Sequence, residues 1–291
     1  MRITDPLVNQ FVSNRNSAAK RAVYATTEKV ISGKNFESVA DSLIGAQRII
    51  NLENSLSDLD RYQSSKTLVE SDLRSADGAI LSTVELLIEA KEMAVQMSNE
   101  VLNANNLNAQ AEAVKGLRNQ MTDIANTQLS DGRYLFGGVA ETTQPYDEVG
   151  NYQGSDENRR VEIAPGFRMQ MTTTGPEVFG EPSAMSVLDN FVTALQTNDQ
   201  VAIKDMLTQL DDAIQTMSIQ HTSIGGRLKN TIETQDIIDD LRVQFETQRS
   251  EVQDVDMARA ISDMTMAETS MTAVVEASKR LMGATALRWL S

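Results

Sequence analysis

From Leu52 onward the apolar residues recur at every seventh position. Positions 52, 59, 66, 73, 80, 87 and 94 read Leu, Leu, Lys, Leu, Ile, Leu and Ala, followed by Val101; the interleaved set 55, 62, 69, 76, 83, 90 and 97 reads Ser, Tyr, Val, Ala, Thr, Ala and Met. Two interleaved heptad series of this kind form the a/d seam of a coiled coil, here with one charged and several hydroxyl positions. At 1.5 Å per residue the pattern predicts a helix roughly 75 Å long, and hence a rod. A loop is expected at residues 103–108 (NANNLN), after which Leu107, Val114, Leu117, Met121 and Ile124 repeat the 3-4 spacing, as in a second helix returning antiparallel to the first. Residues 5–31 also read as helix, but their stripe of Leu7, Phe11, Ala18, Ala22 and Ala25 is thin. At about 25 cal/mol per Å² it buries too little to stand without a partner.

Residues 130–183 differ in kind. They hold four of the five prolines and eight of the fifteen glycines, and the alternation in RRVEIAPGFRMQMTT reads as two strands joined at Pro165-Gly166. Helix is then expected to resume and continue to the end. Ile203, Leu207, Leu210, Ile214, Met217, His221, Ile224 and Leu228 keep the heptad spacing across Gly225-Gly226; a further seam runs through Ile238, Leu241, Phe245, Val252 and Val255 toward Ile261, Met264, Met271, Val275 and Leu281. The expected fold class is mainly α: an elongated helical bundle or coiled coil formed by the N- and C-terminal segments, with a small β-rich inserted domain. On this reading residues 1–45 are an N-terminal assembly helix and linker, and 46–130 and 184–255 are the two halves of the helical rod. Residues 131–183 are the insertion, and 256–291 a C-terminal assembly helix.

Composition narrows the function. The 291 residues include no cysteine and one histidine, which excludes disulfides, thiolate catalysis and cysteine-ligated metals. Aromatic residues make up only 4% and the net charge is -15, a poor match to a nucleic-acid binder that must displace counterions from phosphates. The charge is unevenly placed: residues 1–34 carry six Lys/Arg against two Asp/Glu, residues 276–291 three against one, and the acidic excess lies between. The start lacks the features of a secretory signal, and no run of about 18 apolar residues is present, so these signals alone suggest the cytoplasm.

Candidate chemistry is sparse. No GxGxxG, Walker loop, HExxH or GxSxG motif occurs, and no catalytic, cofactor-binding or metal-binding residue can be named. His221 falls on a heptad core position and is expected to be a packed or hydrogen-bonded core residue. The acidic pairs Asp211-Asp212, Asp239-Asp240 and Asp254/Asp256 read as a solvated face, and GSDENRR (154–160) as a turn. LSDGRYLFGG (129–138) is the densest local signal; Tyr134, Phe136 and Gly137 are expected to anchor the insertion to the bundle. Apolar residues run through to Leu290, with the only tryptophan at position 289. A basic amphipathic helix bearing Trp could lie on a membrane, but a coiled-coil strand explains both termini together, each completing the other and leaving apolar surface for neighbouring molecules. The candidate assembly surface is Leu7, Phe11, Met264, Met271, Val275, Leu281, Met282, Leu287, Trp289 and Leu290.

Several stretches resemble the flagellin superfamily: the opening MRIT, ISGKNFESVADSLIGAQRI (31–49), LSDGRYLFGG leading to YQGSDENRRVEIAPG (152–166), and residues 250–291 from SEVQDVDMARA to ATALRWLS. Where flagellins carry a SAKDDAAG-like run and an FNG-type turn, this chain has ESVADSLIGA and LSDGRYLFGG, which resemble the hook-filament junction branch. The resemblance implies a structural, non-enzymatic protein without cofactor, nucleic acid or small-molecule substrate. It implies export through the flagellar type III apparatus without a cleaved signal peptide, and a place in the extracellular flagellum between hook-associated protein 1 and flagellin. It further implies a ring of copies of this chain and an export chaperone on the C-terminal segment. A minor flagellin is the alternative it leaves open.

Overall fold

The computed structural model describes residues 5–35, 42–99 and 104–287. Helix α1 spans Asp5–Ser32, α2 Leu43–Asn99 and α3 Ala104–Ala125; strands β1 (Arg160–Ala164) and β2 (Phe167–Gln170) follow, then α4 (Gly175–Phe179), α5 (Ala184–Gln196), α6 (Gln200–Gln253) and α7 (Met257–Leu287). The chain divides into two compact units, one of Met1–Ser57 with Leu241–Ser291, the other of Asp58–Asp240. The architecture is mainly α, as the heptads require.

In the 58–240 unit the two seams form one core. Leu73, Ile80, Leu87 and Ala94 of the first series and Val69, Ala76, Ala90 and Met97 of the second are buried on α2. On α6 the positions one heptad apart, Ile203, Leu210, Met217 and Ile224, are fully buried, and the series continues through Thr231 and Ile238. The interleaved set Leu207, Ile214, His221 and Leu228 is only half-buried. Two cross-helix polar contacts give the direction. Lys91 meets Asp211 at 2.5 Å and Asp77 meets His221 at 3.1 Å, so numbers fall along α2 as they rise along α6 and the helices are antiparallel. Lys66 lies buried at its seam position, its ammonium 3.1 Å from Glu70 one turn on. Its aliphatic stem fills the core while the charge reaches the edge.

Three expectations need correction. The loop read at residues 103–108 is too long: α3 has begun by Ala104 and Leu107 is already buried. Helix is not continuous to the C-terminus. It resumes at Ala184 as expected, where Ser183 caps α5 through the Ser186 amide, but breaks at 197–199 and again at 254–256. The insertion is rich in turns rather than strands. Nine residues form one antiparallel hairpin, Arg160 opposite Gln170, closed at Pro165-Gly166 where Gly166 has φ +78°, and isolated bridges such as Tyr146 to Tyr152 tie the rest. The short α4 carries a Thr174/Glu177 capping box with Pro176 in its first turn, a signature present in TGPE but outweighed in the sequence by its glycine and proline.

In the unit formed by the chain's two ends, α1 and α7 pack antiparallel. Ser278 Oγ donates to Asn16 Oδ1 at 3.4 Å at one end, and at the other the Val255 amide donates to Gly33 O (2.9 Å) and the Asn35 amide to Gln253 O (2.7 Å). The α1 stripe read from the sequence is not the face that packs: Leu7, Phe11, Ala18, Ala22 and Ala25 are all exposed, and it is Val12, Asn16, Ala19 and Val23 that are buried or half-buried. Val12, Ala260 and Ser278 are buried between the two helices.

Candidate assembly surface and insertion anchor

The break before α7 orients the terminal pair. Asp256 accepts from the amides of Ala258 (3.0 Å) and Arg259 (3.2 Å), so it caps the helix, while Asp254 accepts from Ser250 Oγ at 2.5 Å. The Asp254/Asp256 pair, read from sequence as a solvated face, is a helix stop and start. Small residues line the buried side of the pair, and the larger apolar side chains remain outside. Leu7 is 60% and Phe11 55% exposed, with the Arg15 guanidinium 5.2 Å from the Phe11 ring centroid. Leu281 and Met282 are exposed as well. Met264, Met271 and Val275 are half-buried; Met271 and Val275 share a groove with Val23 of α1. Leu287 ends α7 with its side chain outside the described residues, and Trp289 and Leu290 lie outside them altogether. Sequence reasoning missed Tyr24 and Ile31 on α1 and Met266 on α7, all more than two-thirds exposed. Their signal was available: large apolar residues off the stripe that faces the partner helix.

In the 58–240 unit the LSDGRYLFGG stretch enters the core through Phe136, which is fully buried and stacks edge-on against Phe179 with ring centroids 5.3 Å apart. Tyr146 packs edge-on against the same Phe179 and tilts against Tyr152, whose hydroxyl donates to Phe136 O (3.0 Å) and Ser155 O (2.9 Å). Burial raises the pKa of both tyrosine hydroxyls. Gly137 is buried where a Cβ would come within 2.9 Å of Ala140 O, so no other residue fits. Tyr134 is half-buried and holds the loop mainly through its amide, which donates to Glu141 O at 2.7 Å.

The strongest tether in this stretch is a residue the sequence reading passed over. Arg133 reaches α2 and forks onto Asp72, Nη1 to Oδ2 at 3.0 Å and Nη2 to Oδ1 at 3.4 Å, while its Nε donates to Asp131 at 2.6 Å. Glu141 lies 3.8 Å from Arg133 and takes a 3.0 Å pair from Arg159, extending the network to the hairpin's edge. Burial holds the Asp72 carboxyl above its ordinary pKa even though Arg133 pulls it down. Burial also works to lower Arg133, but its bonds to Asp131 and Asp72 outweigh that and raise it. Arg118 on α3 does similar work, meeting Asp189 of α5 at 3.2 Å and Glu148 O at 2.7 Å. On α6, Arg227 donates to Thr173 Oγ1 at 3.2 Å.

His221 is not the core residue its heptad position suggested. Its side chain is 42% exposed and its Nε2 lies 3.1 Å from Asp77, because the interleaved α6 positions face the rim of the seam. Among the described residues no cluster of three His, Cys, Asp or Glu side chains could hold a metal ion, and no helix is long and apolar enough to cross a membrane.

A long antiparallel α2/α6 core carries a turn-rich insertion, and the chain's two ends form a thinly packed pair of helices. The chain is similar to the flagellin superfamily: the family described as bacterial flagellin N-terminal helical region matches residues 7–141. Within it, flagellar hook-associated protein 3 of Escherichia coli is 26% identical, the similarity covering 92% of each chain. Flagellin of Bacillus subtilis is 22% identical over 91% of each. In fold, the chain matches the solved structure of flagellar hook-associated protein-3 from Legionella pneumophila with a TM-score of 0.65 at 15% identity, covering 70% of this chain and 98% of the other.

Proposed function

We propose that this chain is a structural component of the bacterial flagellum, the junction protein that joins the hook to the flagellin filament. The similarity to hook-associated protein 3 over 92% of both chains supports the junction role. The structural observation that carries it is the α1/α7 pair, which buries small residues between its helices and leaves Leu7, Phe11, Leu281 and Met282 for other subunits. The partners on this reading are hook-associated protein 1 on one side, flagellin on the other and copies of this chain in a ring. An export chaperone shields the C-terminal segment beforehand. Export runs through the flagellar type III apparatus, and the assembled protein is extracellular. The assembly surface comprises Leu7, Phe11, Met264, Met271, Val275, Leu281, Met282, Leu287, Trp289 and Leu290. Tyr134, Phe136 and Gly137 anchor the insertion, and neither group is catalytic.

Electron microscopy of cells lacking the gene, with an assay of flagellin in the medium, tests this reading. Hooks without filaments and free flagellin in the medium are expected, since flagellin is then exported with nothing to grow on. Near-normal filaments would instead favour a minor flagellin, the second reading that the Bacillus subtilis similarity supports.

A further inference from the structure

We propose that the Asp131-Gly132 peptide is a covalent modification site, the point at which the 58–240 unit converts an aspartate to isoaspartate, and that Arg133 sets the rate. Its chemistry is independent of the assembly reading above and needs no enzyme or cofactor. The backbone nitrogen of the following residue attacks the aspartate Cγ; a C–N bond forms, water leaves from the protonated carboxyl, and a five-membered succinimide results. Water then opens the ring at the original main-chain carbonyl, and the chain afterwards runs through the β-carboxyl. Glycine obstructs the attack least, because it has no Cβ. The chain has two Asp-Gly bonds, at 77–78 and 131–132, and no Asn-Gly.

The fold separates the two bonds. Asp77 and Gly78 lie deep inside α2, where main-chain amides are committed to the helical ladder, and Asp77 Oδ1 is 3.1 Å from His221 Nε2. Ring closure there requires the helix to break. Asp131 and Gly132 are exposed in a tight turn, where Gly132 has φ +86°. The Gly132 amide donates to Leu129 O (2.9 Å) and the Leu129 amide to Arg133 O (2.7 Å), two bonds that can open without disturbing a helix. What restrains the turn is Arg133. Its Nε donates to Asp131 Oδ2 at 2.6 Å and its amide to Oδ1 at 3.1 Å, so both oxygens are held on a carboxyl that must turn onto Gly132 and lose one of them as water. The same bonds hold that carboxyl below its ordinary pKa, so less of the reactive acid form is present. Isomerisation adds one carbon to the main chain between Asp131 and Gly132, immediately before the arginine whose guanidinium forks onto Asp72. The modification therefore loosens the clasp between α2 and the insertion.

The test uses the purified full-length chain, incubated for weeks at neutral pH and well below its melting temperature, then digested and mapped by mass spectrometry. Isoaspartyl methyltransferase with labelled S-adenosylmethionine is the probe for the modified residue. Isoaspartate at position 131 and none at 77 is expected from the folded chain, whereas the urea-unfolded chain is modified at both. Accumulation at 77 in the folded chain overturns the proposal, and so does its absence at 131 while the unfolded chain reacts there. Arg133→Gln should raise the rate at 131 by roughly two- to fivefold, the rate equivalent of one exposed ion pair. It should also move the fall in rate with rising pH to higher pH, because the carboxyl is then less acidic. Asp72→Asn breaks the far end of the fork but leaves both Arg133 contacts to Asp131, and an unchanged rate is expected. If Asp72→Asn accelerates the reaction as much as Arg133→Gln does, the rate follows unfolding rather than the grip on Asp131, and the role given to Arg133 falls.

Discussion

Arg133 shows how one side chain sets the insertion on its helix. Asp72, with its side chain 6% exposed, keeps its charge in the core edge only because the guanidinium fork meets it. Removing one partner of a buried pair costs about 3 to 5 kcal/mol; Arg133→Ala is expected to lower stability by about 3 kcal/mol in urea denaturation, and Arg133→Lys by less, since an ammonium cannot fork. The pH dependence has a definite sign. The folded pKa of Asp72 lies above its unfolded value, so its own contribution is most favourable when protonated and is lost as pH rises through the folded pKa. The stability of the wild-type chain minus that of Asp72→Asn should therefore fall as pH rises from the ordinary carboxyl range, about 4, through the raised folded pKa, carboxylates outside the network cancelling in the difference. A difference that grows with pH would refute the assignment. Phe136→Ala opens the aromatic cluster against Phe179 and is expected to cost about 3 to 5 kcal/mol. The sequence marked this stretch because aromatics between glycines are rare. It did not mark Arg133, whose partner lies 61 positions away.

At the scale of the element, α6 shows propensity yielding to packing. Gly225 and Gly226 are poor helix formers, yet α6 runs unbroken through both because Ile224 and Thr231 hold the seam on either side. Both glycines are exposed and a Cβ would meet nothing within 4 Å. Gly225→Ala should accordingly raise stability by up to about 1 kcal/mol, read as a higher urea midpoint at unchanged slope. The reverse holds at the start of α7. Asp256→Ala removes a side chain that accepts two amides, and a loss of about 1 kcal/mol is expected, seen first as faster amide exchange at Ala258 and Arg259. Helices α2 and α6 were legible because their periodicity persists over many turns. The breaks at 197–199 and 254–256 were not, because each turns on a single capping aspartate, Asp199 or Asp256, amid residues that also suit a helix.

For the whole molecule, the proposed assembly makes the exposed apolar side chains of α1 and α7 the ones to test. Changing both Leu281 and Met282 to lysine removes exposed apolar surface, so it should leave the monomer's melting temperature within a few degrees. The same change should abolish filament growth while secretion continues, measured by microscopy and by assaying the medium. Unimpaired filaments would remove these residues from the assembly surface. A family resemblance was readable in the termini and in LSDGRYLFGG because assembly surfaces and tight turns constrain side chains locally.

The sequence by itself determined that the protein is mainly helical, that two heptad seams pair, and that a glycine- and proline-rich insertion interrupts them. Periodicity and turn chemistry are local properties of the chain, and they suffice for that. Only the tertiary structure decided that His221 sits at the rim of its seam, that Asp72 and Arg133 clasp the insertion, and which of the apolar residues on α1 and α7 face outward. Each of those depends on the angle at which one helix meets another. A repeat of seven constrains that angle only to within a face, and the packed side chains choose within it.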